Sequence, residues 1–505
     1  MSALVSSIDT TTYTAPDLLR SRAELHPERV ALRVGSGPSL AFGIWDTRSD
    51  TTARALIRAG IRPGDRIGLL FGAGDWVDYA IAYFGVLKTG ATAVHLSHPM
   101  PGAEFRRRVA RCRVSGIVHA GSAPPPADFA GWTGCAPELA AGPGPRGLAG
   151  PVDVGLGPED IADILFTSGT TGAAKAFVNP HGTLTFGRGP AGLARLDVSA
   201  PMLAPMPMGT PSSAMCASLM PLTSSSSVIL CGPGDVGQMG ELIAAHRVAT
   251  ILVTPWIAIR MVAARLHERY DLGSVTTVAV ASAPLPAATA RALARMMPGM
   301  TINTAYAQGE AVPAVVLNVF DPDRPTCVGR PAPGTDLRVA GKYGQAVPDR
   351  QLGEIWLRSA APKRRYLDEA LNAVVHKDGW TRTRDIGSVG PDGELYLFDR
   401  EADAICADGD LISTIEIEGM LYEHPAVREA AVVAAPETGP GPVAAAVVLD
   451  RQDALPDVRA FAARRLSAAQ LPAVWHSRAR LPRGITGKVL KRKLRAELAR
   501  TVPRR

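Results

Sequence analysis

Cysteine is scarce in this chain: six residues (Cys112, Cys135, Cys216, Cys231, Cys327 and Cys406) are scattered over 505 positions. None of the spacings matches a paired zinc motif, and the density is far below that of a disulfide framework, so a reduced, cytoplasmic protein is expected. Aromatic residues make up only 5%. None interleaves with the basic run from Lys488 to Arg495, so the net charge of +7 does not read as a base-stacking nucleic-acid surface. Charge itself disappears between Val198 and Gly234. A membrane span is nevertheless not expected there, because Pro201, Pro205, Pro207, Pro211, Pro221 and Pro233 interrupt the stretch and each removes a helical hydrogen bond. Buried strands and loops lining an uncharged cavity are expected instead. The opening Met-Ser-Ala-Leu-Val-Ser-Ser lacks the basic start and apolar core of a secretion signal.

What is present is globular: 46% apolar and 20% charged residues, enough for more than one core. Helical and extended patterns alternate early. Pro16–Leu25, Thr52–Gly60 and Asp78–Lys88 have helical spacing, while Val30–Val34, the run after Gly64-Asp65 and Ala91–Leu96 read as strands. Such alternation predicts an α/β fold with mostly parallel sheets covered by helices. Residues 140–157, rich in Gly and Pro, read as a connector. Past Gly393 the pattern changes to short strands, two helices and a basic tail, as in a small α+β domain.

The most informative segment runs from Leu165 to Val178, Leu-Phe-Thr-Ser-Gly-Thr-Thr-Gly-Ala-Ala-Lys-Ala-Phe-Val. Two apolar runs flank a loop of glycines and hydroxyls ending in Lys175. Glycines allow successive N–H groups to face an anion, and the hydroxyls and the ammonium add donors and charge. A polyphosphate is the expected guest. The P-loop of nucleotide triphosphatases is a poor match, because Ala174 and Ala176 flank the lysine and Ala-Phe-Val reads as a strand.

The segment resembles the phosphate loop of the adenylate-forming superfamily of acyl-CoA synthetases, adenylation domains and luciferases, with Ala174 for a proline and Ala176 for a glycine. Further segments resemble that superfamily in its order. Ala281-Ser-Ala-Pro-Leu resembles the adenine loop (Ser282, Ala283, Pro284), and Tyr306-Ala-Gln-Gly-Glu310 resembles Tyr-Gly-x-Thr-Glu. Trp380-Thr-Arg-Thr-Arg-Asp385 resembles the aspartate motif for the ribose hydroxyls. Asp399-Arg400 and Asp403 resemble the linker, and Leu481 to Arg495 resembles the terminal signature with its catalytic lysine, Lys488. The resemblance implies an N-terminal domain over 1–398, a hinge over 399–403 centred on Asp403, and a mobile C-terminal domain over 404–505.

It also implies ATP and Mg2+ as cofactors. Thr167, Ser168, Gly169, Thr170, Thr171 and Gly172, with Lys175, would hold the β and γ phosphates. Glu310 and Thr170 would attend the metal; Tyr306, Asp385 and Arg400 would hold the nucleoside. Lys488 would stabilise charge as a substrate anion attacks the α-phosphorus, a donor role whose loss costs about 3–4 kcal/mol. Weaker assignments to the substrate pocket are Met208, Gly209, Thr210, Ala305 and Gln308.

Several positions depart from the family. Gly309 replaces a threonine, Arg384 a glycine and Ala402 a lysine; the segment Pro205–Ser213 carries neither the usual aromatic or histidine nor the aspartate that holds an α-ammonium. A standard α-amino acid is therefore disfavoured as substrate. Three readings stay open at this level. One is a ligase that adenylates an aryl or acyl carboxylic acid and passes it to a thiol (coenzyme A or a carrier protein) or an amine. The second is a diazotase-like enzyme that adenylates nitrite for an arylamine, and the third a silent ATP-binding relative. Neither nucleic acid nor membrane is expected as a partner.

Overall fold

The computed structural model describes residues 13–142, 150–166, 174–187, 200–223, 226–407, 409–435 and 442–501. Two large sheets form the bulk. In one, strands Val30–Val34, Val228–Cys231, Met202–Pro205, Thr250–Val253, Thr277–Ala281 and Thr301–Tyr306 run parallel. An antiparallel set extends the same sheet from Val316–Val319 through Cys327–Pro331 and Leu395–Arg400 to Trp380–Val389 and beyond. The expected parallel pattern thus describes the first part of this sheet and not the second. The local signal was short hairpin-linked strands, which pair antiparallel without a crossover helix. In the other sheet, Ile161–Phe166, Thr92–His98, Arg66–Gly72, Gly116–His119 and Trp132–Cys135 are parallel. Strand Ala176–Pro180 returns antiparallel, and Arg365–Tyr366 pairs with it at the edge.

Helix Trp76–Lys88 explains how the two sheets share a core. Eleven of its thirteen residues are buried, so it is apolar on all sides, as expected of a helix enclosed between layers. Leu32, Ala204 and Leu230 of one sheet and Ile67, Leu69 and Phe71 of the other belong to the same buried cluster, with Trp45 and Phe84 meeting edge to face. Two polar sites are built into this core. The fully buried ammonium of Lys88 lies 2.6 Å from Asp46 and 2.9 Å from Asp50. Asp163, also buried, accepts from Tyr83 at 2.6 Å and from Asn179, and lies 3.2 Å from His95 Nε2, whose Nδ1 is 2.8 Å from the Tyr79 hydroxyl. A carboxylate can only accept, so His95 Nε2 donates to Asp163. Burial opposes the charge on Asp163, but these donors outweigh it and hold its pKa below the usual value.

The uncharged segment is buried as expected, but it contains helix as well as strand. Pro211–Ala214 starts a helix behind Thr210, which caps it by accepting from Ser213 N. The helix widens into a π turn over Met215–Leu219 before Met220–Thr223. Pro at the first helical position is compatible with a helix, and the wide turn precedes Pro221, which has no N–H to give. No helix among the described residues is long and apolar enough to cross a membrane.

Beyond Arg400 a separate core forms around a three-stranded sheet, Val427–Ala434, Val443–Leu449 and Val474–Ser477. Three helices, not two, cover it: Thr414–Leu421, Leu455–Ala463 and Lys491–Thr501. The third was read as a basic tail because its polar residues dominate; Leu494 and Leu498 are nevertheless fully buried.

Candidate active site

The parallel strands of the first sheet end together, and their carboxyl ends carry three segments singled out in the sequence and one, Thr254–Trp256, that was not singled out there. Pro205–Thr210 follows one strand, Thr254–Trp256 the next, Ser282–Pro284 the third and Tyr306–Glu310 the fourth. Loops at this end of a parallel sheet are where ligands of α/β proteins bind. Ala281 and Ala305 are register partners, so the proposed adenine loop and the tyrosine loop are neighbours. Ser282, at φ +86°, Ala283 and Pro284 are exposed.

Asp385 is the electrostatic centre. It comes from strand Trp380–Val389, with its N–H held by the Thr383 hydroxyl at 3.1 Å. Its Oδ2 accepts from Tyr306 Oη at 2.9 Å and Gln308 Nε2 at 2.8 Å; its Oδ1 lies 3.2 Å from Arg400 Nε. Burial raises its pKa, against the pull of Arg400 and these donors. Burial, and next the Asp385 charge, push the Tyr306 phenol well above its ordinary value, so it stays a neutral donor. Gln308 was assigned to the substrate pocket. Its Nε2 donates to Asp385 Oδ2 and to the Thr383 carbonyl, 2.9 Å away.

Lys488 arrives from the C-terminal core, half-buried among these groups. Burial and then the Arg400 charge lower its pKa to about 8, although Asp385 and Glu310 pull the other way. The structure therefore brings together Glu310, Asp385, Arg400 and Lys488 from four separate segments.

Glu310 accepts a hydrogen bond from Tyr366, a residue that the sequence reading missed. Tyr366 lies on the edge strand beside Phe177, and the Lys175 ammonium sits 5.5 Å from its ring centroid. The signal was present only as an aromatic after a basic run, Lys363-Arg-Arg-Tyr366. Arg364, nearly buried, donates to the Gly309 carbonyl at 2.8 Å and so holds the loop carrying Glu310. A side chain at 309 would meet open space, so the missing threonine hydroxyl is a matter of chemistry and not of crowding.

The phosphate-loop residues Thr167, Ser168, Gly169, Thr170, Thr171 and Gly172 lie outside the described residues. Among the described residues no group of three or more His, Cys, Asp or Glu could hold a metal. A magnesium ion is compatible with this arrangement, since it commonly takes only one or two carboxylates and draws its other ligands from substrate phosphates and water; Glu310 offers one.

Of the residues assigned to the substrate pocket, Met208 packs into the core shared by the two sheets. Gly209, at φ +77°, is pressed so closely on Ser97 that an added Cβ would lie 2.5 Å from its Cβ. Thr210 lines a narrow cavity with Pro205, Met206, Trp256, Ser282 and Ile485. Ala305 stands half-buried one residue before Tyr306. At the proposed hinge, Asp403 N donates to the Arg400 carbonyl at 2.9 Å, and its carboxylate lies 3.4 Å from Arg495. Arg384 takes φ +58°, which explains why glycine suits that position; its guanidinium lies 3.3 Å from Glu401.

Comparison with known proteins places these features in context. The family described as AMP-binding enzyme matches residues 19–367, and its C-terminal domain matches 416–488. A feruloyl-CoA synthase of Amycolatopsis sp is 29% identical over 496 residues, covering 94% of this chain and 97% of that protein. A 4-coumarate–CoA ligase of rice is 28% identical, covering 93% and 91%. Among solved structures, an anthranilate CoA ligase in complex with anthranoyl-AMP has a TM-score of 0.82 at 22% identity, covering 97% of this chain and 98% of that one. The o-succinylbenzoate coenzyme A synthetase of Bacillus subtilis with AMP gives 0.80 at 23%, covering 96% and 98%.

Proposed function

Since the chain belongs to the AMP-binding enzyme family and is an AMP-forming ligase, we propose that it adenylates an aryl or acyl carboxylic acid and passes the acyl group to coenzyme A. The observation that carries this reading is the meeting of Lys488 with Asp385, Arg400 and Glu310 at the strand ends. Nucleoside binding falls to Asp385, a carboxylate able to accept two ribose hydroxyls, with Tyr306 and Gln308 orienting it. Lys175 and the loop 167–172 hold the β and γ phosphates. Magnesium, when bound with the nucleotide, offsets phosphate charge, and Glu310 is its protein ligand on this reading, with Thr170 beside it.

In the first half-reaction the substrate carboxylate oxygen bonds to the α-phosphorus as the bond to pyrophosphate breaks. Lys488 supplies a donor and a positive charge where negative charge accumulates. In the second, the thiol loses its proton to solvent, its sulfur bonds to the acyl carbon, and AMP leaves with the carbon–oxygen electron pair. Residues 399–403 act as the hinge between the units 1–398 and 404–505, with Asp403 absorbing the dihedral change. An aryl acid is favoured because relatives of this chain are named for feruloyl and coumarate substrates.

The test is pyrophosphate release from Mg-ATP with pooled aryl and aliphatic acids, with and without coenzyme A, alongside Lys488→Ala. Release with an acid pool, lost in the variant, supports the ligase reading. The absence of a histidine or aromatic in Pro205–Ser213 favours a second arm containing nitrite and arylamines. Release only there would replace the carboxylate reading with nitrite activation, and ATP binding without release in any arm would refute both.

A further inference from the structure

The catalytic lysine is only as well placed as the loop that carries it. That loop, 483–488, is a closed turn. Gly487 N donates to the Gly484 carbonyl at 3.0 Å, Gly484 N donates to the Lys488 carbonyl at 2.9 Å, and Arg483 donates to the Gly487 carbonyl at 2.6 Å. Arg483 is itself ion-paired to Glu429 of the C-terminal sheet. The loop therefore moves as a unit with its own domain and needs a surface on the other domain to stop against.

Trp256 is that surface. Gly487, at φ +82°, approaches the indole so closely that an added Cβ would lie 2.8 Å from Cε3 and 3.1 Å from both Cδ2 and the tryptophan Cβ. Ile485 and Thr486 share a narrow cavity with Trp256 and Ile257. The indole is fixed from its own side. Thr254 caps the helix Pro255–Ala263 on which it stands. Arg260, one turn on, places its guanidinium 4.9 Å from the ring centroid and anchors to the Pro233 and Gly234 carbonyls at 3.2 and 2.7 Å. A rigid aromatic thus meets a rigid turn at the residue immediately before Lys488.

We propose that Trp256 is a positioning residue for adenylation: the indole is the seat on which loop 483–488 docks, and it selects the domain arrangement that puts Lys488 beside Asp385. This rests on the role given to Lys488 above. The indole touches no reacting atom, and the contact is lost when the C-terminal domain swings away, so its removal should weaken the first half-reaction and spare the second.

Two measurements test this. The kinetic one compares Trp256→Ala and Trp256→Phe, with an acid found active in the pyrophosphate screen. Acid-dependent ATP–pyrophosphate exchange should fall about tenfold in kcat for Trp256→Ala, the effect of a docking equilibrium weakened by one power of ten. The KM for ATP should hold, transfer from preformed acyl-adenylate to coenzyme A should be unchanged, and Trp256→Phe should recover most of the loss. Equal losses in both half-reactions, or none in the first, would overturn the proposal.

The second measurement needs no substrate. Of the other six tryptophans Trp45, Trp76, Trp356 and Trp380 are buried and Trp132 and Trp475 half-buried; all six are common to both proteins, so acrylamide quenching of the wild type minus that of Trp256→Phe isolates the Trp256 signal. In the free full-length protein the Trp256 signal should be quenched several-fold less than N-acetyltryptophanamide; equal quenching would mean that the loop does not rest there. If no acid is turned over, the functional reading fails while the quenching result still decides the docking.

Discussion

The depressed Lys488 ammonium predicts a specific pH profile. Its pKa is lowered to about 8, chiefly by burial and next by the charge of Arg400. A lysine stabilises the developing negative charge only while protonated. The free enzyme should therefore hold its full adenylation capacity below pH 7 to 7.5 as far as this group is concerned and lose it as pH rises through about 8. By pH 9 roughly one molecule in ten would retain the charge, one pH unit above the pKa. The floor is set by the worth of such a donor, about 3–4 kcal/mol, so the decline should level off a hundredfold to a thousandfold down, at the rate of Lys488→Ala. The assay is kcat/KM for ATP in pyrophosphate exchange, since that ratio reports groups of the free enzyme; kcat reports the bound complex, where the phosphates stabilise the ammonium and shift the fall upward. Lys488→Arg, slower at neutral pH for want of the right geometry, should show no fall near pH 8. A wild-type profile flat to pH 9.5, or one that Lys488→Arg reproduces, would refute the reasoning.

Asp385→Asn replaces an acceptor-only group ringed by Tyr306, Gln308 and Arg400 with one that must turn an NH2 toward a donor. With hydrogen bonds to charged groups at about 1.5–3 kcal/mol, the KM for ATP should rise by one to two orders of magnitude, read in the same exchange assay. Lys88→Met leaves Asp46 and Asp50 facing each other without their cation; chemical denaturation should show a loss of about 3–5 kcal/mol. Arg384→Gly relieves a left-handed backbone at φ +58° and gives up an exposed ion pair of little worth. A stability gain of about 0.5–1 kcal/mol is expected by denaturation, close to the strain of a side chain in that region and offset by the flexibility of glycine when unfolded.

What could be read in advance was local. The Trp-x-x-Thr-x-Asp run and the terminal lysine signature are short segments that resemble the superfamily's own, as does the phosphate loop, whose residues 167–172 lie outside the described residues. Most helices and strands of the first hundred residues were legible for the same reason, but the helix read from Thr52 begins at Phe42, and the strand Ser39–Ala41 before it went unread. Other features depend on partners far along the chain. Gln308 meets Asp385 across 77 positions and Tyr366 meets Glu310 across 56, and nothing near either residue announces its partner. The buried Asp163 group draws on Tyr83, His95 and Asn179, which look like ordinary strand and helix residues in isolation. The helix after Thr210 was a different failure. Its cap and its first-turn proline are helix-start signals, but the prolines of that stretch were read only as breakers.

The final described helix, Lys491–Thr501, begins three residues after Lys488 and reaches back to the other end of its domain. Lys491 bonds the Thr414 hydroxyl at 2.7 Å and Glu418 at 2.8 Å, and Thr414 in turn donates to Asp399; Arg495 lies beside Asp403. The arm bearing Lys488 is thus clamped to the proposed hinge through a single helix. If 399–403 is the hinge proposed above, torsion there would reach Lys488 through this helix as displacement. Loosening the clamp, for example with Arg495→Ala, would cost timing between the two half-reactions before it cost the chemistry of either.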